Sequence, residues 1–347
     1  MKKTLAKVKK DLKIKTKTRS RGMARRSATV VLAQGAAAAP RRNFGTQGVG
    51  KRASVGSLMR CLDARVPRTL GLPRAVGPYT IIRTTRLHQS DGDFIMFAPF
   101  LYGTPNSQGW RWRNWCGVED VASGTAISGA SNTKPMIMPM DELGDAVEVV
   151  PAGLTVQVMN PESLQNATGV FAMTRVNQQL SLGGSTDTWE DLKQRVISFY
   201  TPRLLTGGKL ALRGVKCSAY PLNMSEYSSF MPLAKTGNAA FTWEGAGLAP
   251  GALSPIVFVQ QNEIPKTMEF LVTIEWRVRF DPGNPATASH IHHDTLSDEA
   301  WNAVVKGMSS CGHGVEELSE DVAEAGAMGY GAMRAIGALG EVAVPLL

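Results

Sequence analysis

MEFLVTIEWRVRF, residues 268–280, alternates apolar and polar side chains along its length. In an extended chain successive side chains face opposite sides, so Met268, Phe270, Val272, Ile274, Trp276, Val278 and Phe280 share one face. Glu269, Thr273, Glu275, Arg277 and Arg279 share the other. This is the pattern of a strand with one face on a core, and the rest of the chain is read outward from it.

The same texture begins near Gly77, where short apolar or alternating runs are punctuated by Gly, Pro, Asn and Ser. PYTIIRTTRLH (78–88), DFIMFAPFLY (93–102), GWRWRNWCG (109–117) and AVEVV with LTVQVM (146–150 and 154–159) all read as strands. So do GVFAMTRV (169–176), KLALRGVKCSAY (209–220) and SPIVFVQQ (254–261). Eight or nine strands in roughly 205 residues suit an all-β fold, a single eight-stranded jelly roll made of two sheets, over residues 59–288. One helix interrupts it: in DTWEDLKQRVISFY (187–200), Trp189, Leu192, Val196 and Tyr200 recur at helical spacing behind an Asp187 or Thr188 cap.

Residues 289–347 form a C-terminal tail with helical periodicity in DEAWNAVVKGM (298–308) and in the Ala-, Gly- and Met-rich run from Val315 onward. Only Arg334 and Glu341 are charged between Ala325 and Leu347. Such a stretch avoids water and seeks a groove, neighbouring copies of itself or a lipid surface. No apolar run reaches the roughly 20 residues that span a bilayer as a helix.

Charge divides the chain more sharply than hydropathy. The 347 residues carry a net +9, but the first sixty hold 17 Lys or Arg against one acid, Asp11, a formal charge of +16. The remaining 287 hold 21 basic and 28 acidic groups, a charge of −7. A head so charged repels itself, and residues 1–58 read as a disordered basic arm with a glycine-rich hinge. Lys2, Lys3, Lys7, Lys9, Lys10, Lys13, Lys15, Lys17, Arg19, Arg21, Arg25, Arg26, Arg41, Arg42, Lys51 and Arg52 are its nucleic-acid-binding candidates, because clustered cations gain by releasing counterions condensed on phosphates.

Other readings of the head fit less well. Arg25-Arg26 ahead of SATVVLAQGAAAAP suggests an export signal, and an Arg-rich, acid-poor start suggests a transit peptide, but Gln34 and Gly35 interrupt the apolar stretch and cations resume at Arg41. GTQGVGKR (45–52) has the Gly-x4-Gly-Lys of a phosphate loop, yet Arg52 stands where Ser or Thr must bind magnesium. Leu5, Val8 and Leu12 would line one face of a basic helix on nucleic acid or an anionic membrane; the thin apolar face favours nucleic acid.

The body offers little for an enzyme. HIHHD (290–294) has no HExxH frame or second Cys/His group. Asp141, Glu142 and Asp145, with Glu148, are candidates for an interfacial calcium ion, the one cofactor considered, although a solvated acidic loop explains them as well. Cys61, Cys116, Cys217 and Cys311 show no CxxC pairing and read as reduced, buried thiols. Trp110-Arg111-Trp112-Arg113-Asn114-Trp115 has the aromatic–cation interleaving that stacks bases, but period-2 alternation would bury all three Trp rings on one strand face.

A cationic arm, a glycine hinge, one jelly roll and an apolar C-terminal helix together resemble the coat protein of a small icosahedral virus of the nodavirus kind. Three blocks carry the resemblance: GDFIMFAPFLYG (92–103), VEVVPAGLTVQVMNPESLQNATGVFAMTRV (147–176) and EFLVTIEWRVRFDPGNPATASHIHHD (269–294). The capsids of bacilladnaviruses, which enclose DNA, are similar nearly as well.

The resemblance implies a virion protein, assembled inside a host cell, that closes into a shell of about 180 copies around single-stranded RNA or DNA without reading its sequence. It also implies transient membrane contact by the C-terminal helix. Nodaviral coat proteins cleave themselves between Asn and Ala near the C-terminus, which here matches Asn302 and Ala303, with Asp63 in MRCLDARVP as the buried acid. That chemistry needs Asp63 neutral, its pKa raised by burial. The chain departs from the pattern in Trp301 before the Asn and in its shorter length. A non-viral single-stranded nucleic-acid-binding β-domain with a basic tail is the first rival, and a β-sandwich lectin or enzyme the second.

Overall fold

A computed structural model describes residues 55–66, 69–103, 110–128, 132–140, 143, 147–180, 182, 185–234, 249–250, 252–262, 266–310 and 314–318. The chain divides into two units, Met1–Ser57 and Leu58–Leu347. Of the first, only Val55–Ser57 are described, at the start of helix α1 (Val55–Met59).

The second unit is built on strands β1 (Thr80–Ser90), β2 (Phe94–Phe97), β3 (Phe100–Gly103), β4 (Trp110–Arg113), β5 (Trp115–Asp120), β6 (Thr133–Ile137) and β7 (Val147–Met159). The chain continues through β8 (Val170–Arg175), helix α2 (Trp189–Phe199), β9 (Arg203–Thr206), helix α3 (Gly207–Leu212), β10 (Val215–Ser218) and helix α4 (Met224–Tyr227). Strands β11 (Met231–Ala234), β12 (Ala249–Pro250), β13 (Ile256–Gln260) and β14 (Met268–Phe280) follow, then helix α5 (Asp298–Ser310) and β15 (Val315–Glu317).

One sheet runs β1-β14-β7-β11-β4-β3-β12, with β10 paired to the other half of β7 and β15 to β10; the second runs β6-β5-β2-β13-β8-β9. Stripped of insertions, the two four-strand orders are β1-β14-β7-β10 and β2-β13-β8-β9. The chain changes sheet at every step along these eight strands except β8 to β9. This is a jelly roll, as the strand count and patterning predict. Strands β3–β6 are inserted between its second and third strands, and β11–β12 between its sixth and seventh.

The central strands of both sheets are covered on both faces, and alternation shows which face goes where. In the second sheet Ile95, Phe97, Phe171, Met173, Ile256 and Phe258 pack into the core between the sheets. Their neighbours Phe94, Met96, Ala172, Val257 and Val259 form a second cluster on the outside, closed by Trp189, Leu192 and Val196 of α2. That helix starts as expected: Thr188 Oγ1 accepts from Asp191 N at 3.1 Å while the Asp191 carboxylate accepts from Thr188 N at 3.1 Å, a reciprocal cap.

In β14, Met268, Phe270, Val272, Ile274, Trp276 and Val278 enter the central core as the alternation requires. Thr273, Glu275 and Arg277 on the opposite face are buried as well. The sequence reading expected a core on one face of this strand; the structure supplies a covering layer on the second.

Other local readings change. AVEVV and LTVQVM are one strand, β7, whose register against β14 shifts between Glu275 and Trp276, where Ala152 is the extra residue. The Tyr227 hydroxyl donates to the Ala152 carbonyl at 2.6 Å and occupies this otherwise irregular acceptor. DFIMFAPFLY makes two strands, β2 and β3. The first half of KLALRGVKCSAY is helical, because Lys, Leu and Ala favour a helix behind the Thr206 cap. VEE (315–317), expected as helix, is strand β15.

The tryptophans do not share a face. Trp115 is three positions from Trp112, an odd step that alternation sends to the opposite face: Trp112 enters the central core against Trp276 while Trp115 enters the outer cluster. The Trp110 side chain lies outside the described residues.

Candidate functional site

Residues 58–72, just after the basic head, form part of the layer over the outer face of the first sheet. Leu62, Leu70 and Leu72 are buried there. Ala64 N donates to Thr155 Oγ1 at 3.0 Å, and that hydroxyl lies 3.2 Å from Asp63 and 2.9 Å from Ser218 Oγ. Thr69 donates to Glu275 at 2.7 Å. The outward polar residues of β7, β10 and β14 are thus the docking points for the segment that leads in from the head.

The C-terminal segment docks on the same side. Leu296 N donates to the Leu72 carbonyl at 2.9 Å, joining the two segments edge to edge. Trp301 of α5 packs on Tyr227, ring centroids 5.3 Å apart. Arg277, fully buried, donates to the carbonyls of Leu70 (3.0 Å) and Tyr227 (3.0 Å), so one guanidinium holds the incoming segment and α4 to β14. Arg83 forms an ion pair with Glu275 beneath them.

At the far end of α5, Arg175 reaches from β8 to donate to the carbonyls of Met308 (2.8 Å) and Ser218 (3.1 Å). A cation at the last turn of a helix also meets the negative end of its dipole. Gly314, φ +67, lets the chain turn past this side chain; a Cβ there would collide with the Arg175 guanidinium. β15 then pairs with β10, and Glu317 meets Lys209 (2.5 Å), Arg213 (3.1 Å) and Arg203 (3.5 Å). Hydrogen bonds from Lys209 and Arg213 hold the Glu317 carboxyl below its usual range.

The sequence candidates fall as follows. Asp63 lies in an ion cluster with Arg65 (2.6 Å) and Lys216 (3.6 Å). Burial pushes its carboxyl up, but the Arg65 hydrogen bonds and charge, with Lys216 behind them, bring it below the ordinary value. The cleavage chemistry needs an acid raised by burial, whereas the paired cations here leave the Asp63 carboxyl below its ordinary value. Asn302 is exposed on α5, with Ala303 half-buried beside it, and no hydrogen bond links Asn302 to Asp63. Lys2 through Arg52 and the acids Asp141, Glu142 and Asp145 lie outside the described residues.

HIHHD does not converge on a point. His290 Nε2 accepts from Phe280 N at 3.1 Å, His293 Nε2 faces the Tyr79 carbonyl at 3.2 Å with its ring stacked 4.0 Å from that of Tyr79, and His292 is exposed. Among the described residues no group of three His, Cys, Asp or Glu side chains is placed to hold a metal ion. Cys116 and Cys217 are free buried thiols, with burial pushing Cys217 up to about 12; Cys61 is half-buried.

Sequence reasoning missed Arg277, Arg175 and Glu317, the residues that fix both chain ends. A faint signal exists for Arg277, a charge flanked by Trp276 and Val278 in the most apolar strand of the chain.

No protein-family model and no curated protein matches the chain. Among solved structures it is similar to that of infectious bursal disease virus Gx strain, at 9% identity over 76% of this chain and 98% of that one, TM-score 0.42. It is similar to infectious bursal virus-derived T=1 particles at 9% identity, over 73% and 90%, TM-score 0.44. Similarity to the decameric BFDV capsid protein covers 58% and 99%, at 12% identity and TM-score 0.26. These neighbours are viral capsid structures.

Proposed function

We propose that this chain is a viral coat protein. Its acidic jelly-roll body self-assembles into a closed shell, and its cationic head, Lys2 to about Arg60, neutralises a packaged single-stranded RNA or DNA genome without reading sequence. The observation that carries this reading is the placement of the two ends: the segment leading in from the head and the segment leading to the C-terminus lie side by side on one face of the sandwich, Leu72 bonded to Leu296. A protein that lines a container needs such sidedness, because every head must be delivered to the same side of the wall.

Charge supports the same division of labour. Heads of +16 attract phosphate, while bodies of −7 do not compete for it. In a shell of about 180 copies the heads would carry roughly 2,900 positive charges, enough to neutralise a genome of a few thousand nucleotides.

Negative-stain imaging of the purified full chain tests the proposal. Closed particles tens of nanometres across, holding nucleic acid that resists added nuclease, support it. A monomer of 37.3 kDa at every salt concentration and pH would reject it and leave the simple nucleic-acid-binding reading.

A further inference from the structure

Among the described residues an apolar margin of the sandwich is exposed close to where the described chain ends. On the outer face of β8 and β9, Val170 (51% exposed) and Leu204 (71%) are diagonal neighbours, since Leu204 pairs with Ala172 and Thr206 with Val170. Phe199 (75% exposed) projects from the last turn of α2, which lies over this same face, and Leu212 (63%) ends α3, which follows β9. Large side chains this exposed are expected singly on a surface; a run of them on one sheet margin marks a contact. β9 is also the last strand of its sheet among the described residues.

The chain is held at this margin by specific bonds. Arg203, the residue before Leu204, donates to the Val315 carbonyl at 2.7 Å and meets Glu317, while Lys209 and Arg213 grip Glu317 from α3. Leu318 lies against Gly214, φ +62, where a Cβ would come within 2.7 Å of it. Beyond this anchor the sequence runs through Glu320, Asp321 and Glu324, opposite in sign to the three cations. It then enters the stretch Ala325–Leu347 with only Arg334 and Glu341 charged. Ala325 lies seven positions beyond Leu318, a span of at most about 24 Å when extended.

We propose that the apolar edge formed by Val170, Leu204 and Phe199 is the docking site of the chain's own segment Ala325–Leu347, with the acidic run 317–324 seated on Arg203, Lys209 and Arg213. The tail then lies along its own subunit, and the anchor at Glu317 sets where it begins.

A photo-cross-linking amino acid placed at Leu204, and separately at Phe199, tests this in the full chain, since both side chains are exposed and their replacement leaves the core intact. Val121, 61% exposed after β5, four strands from β9 in the same sheet, is the control position. The chain is prepared as an equal mixture of light and heavy isotope forms and adducts are mapped by mass spectrometry. The expected result is at least tenfold more adducts to residues 325–347 from Leu204 and Phe199 than from Val121, joining peptides of one isotope form only. Adducts that pair light with heavy chains would assign the edge to a second copy and overturn the proposal. Adducts elsewhere, or none above the Val121 level, would overturn it too.

Discussion

The Arg277 guanidinium lies 4.3 Å from the centre of the Tyr227 ring and donates to the Tyr227 carbonyl, with no exposure to solvent. Two carbonyls, two aromatic faces and the nearby Glu275 compensate its charge, since Tyr79 lies on its other side at 5.8 Å. The outer layer of the first sheet is therefore fastened by a cation rather than by apolar packing alone.

Arg277→Ala removes the fastener and leaves Glu275 with Arg83 and Thr69 as its partners. Loss of one member of a buried charged cluster costs about 3–5 kcal/mol, and denaturant unfolding of the unassembled subunit should show a loss of that order. Arg277→Lys should recover little, because a single ammonium does not span two carbonyls as the fork does.

For Asp63, substitution by Asn breaks the pairs with Arg65 and Lys216 and should destabilise the subunit by about 1–3 kcal/mol. The sign of its pH dependence follows from a folded-state pKa below the ordinary 3.8. Its stabilisation is present above the unfolded value and is lost as pH falls through the lowered one. Acid titration of Asp63→Asn should therefore lack part of the wild-type destabilisation below about pH 4, seen as a smaller drop in the urea midpoint.

Histidine acts at milder pH. Burial, with the charges of Arg86 and Lys134, lowers His88 from 6.5 to about 4. The unfolded chain takes up this proton first, so stability falls as pH drops from about 6.5 towards 4 and this contribution then levels off. Burial lowers His293 in the same direction. Melting temperatures at pH 7.5 and pH 5 should differ less in His88→Gln than in the unsubstituted chain.

Gly314→Ala forces a Cβ into the Arg175 guanidinium at a positive φ. A cost of about 1–3 kcal/mol is expected, concentrated at β15. Limited proteolysis should cut near residues 311–318 faster than in the unsubstituted chain, with cleavage inside β14 unchanged.

Much of the sandwich was legible because its strands read either as alternating runs, as in residues 268–280, or as short unbroken apolar runs buried on both faces, as in 94–97 and 256–260. The covering layer was not, since it comes from distant sequence: Thr69 reaches Glu275 across 206 positions. Alternation also cannot separate a short helix from a strand in KLAL, where the Thr206 cap decides. The site was legible in its charge and opaque in its contacts, because polar residues on an outward face read the same whether water or another segment lies above them.

Nucleic acid content per particle, compared between the full chain and residues 59–347, bears on the whole proposal. Removing the basic head should abolish nuclease-protected nucleic acid, or cut it several-fold, while the jelly-roll body still folds. Particles of the shortened chain that hold as much nucleic acid as those of the full chain would contradict a packaging role for the head.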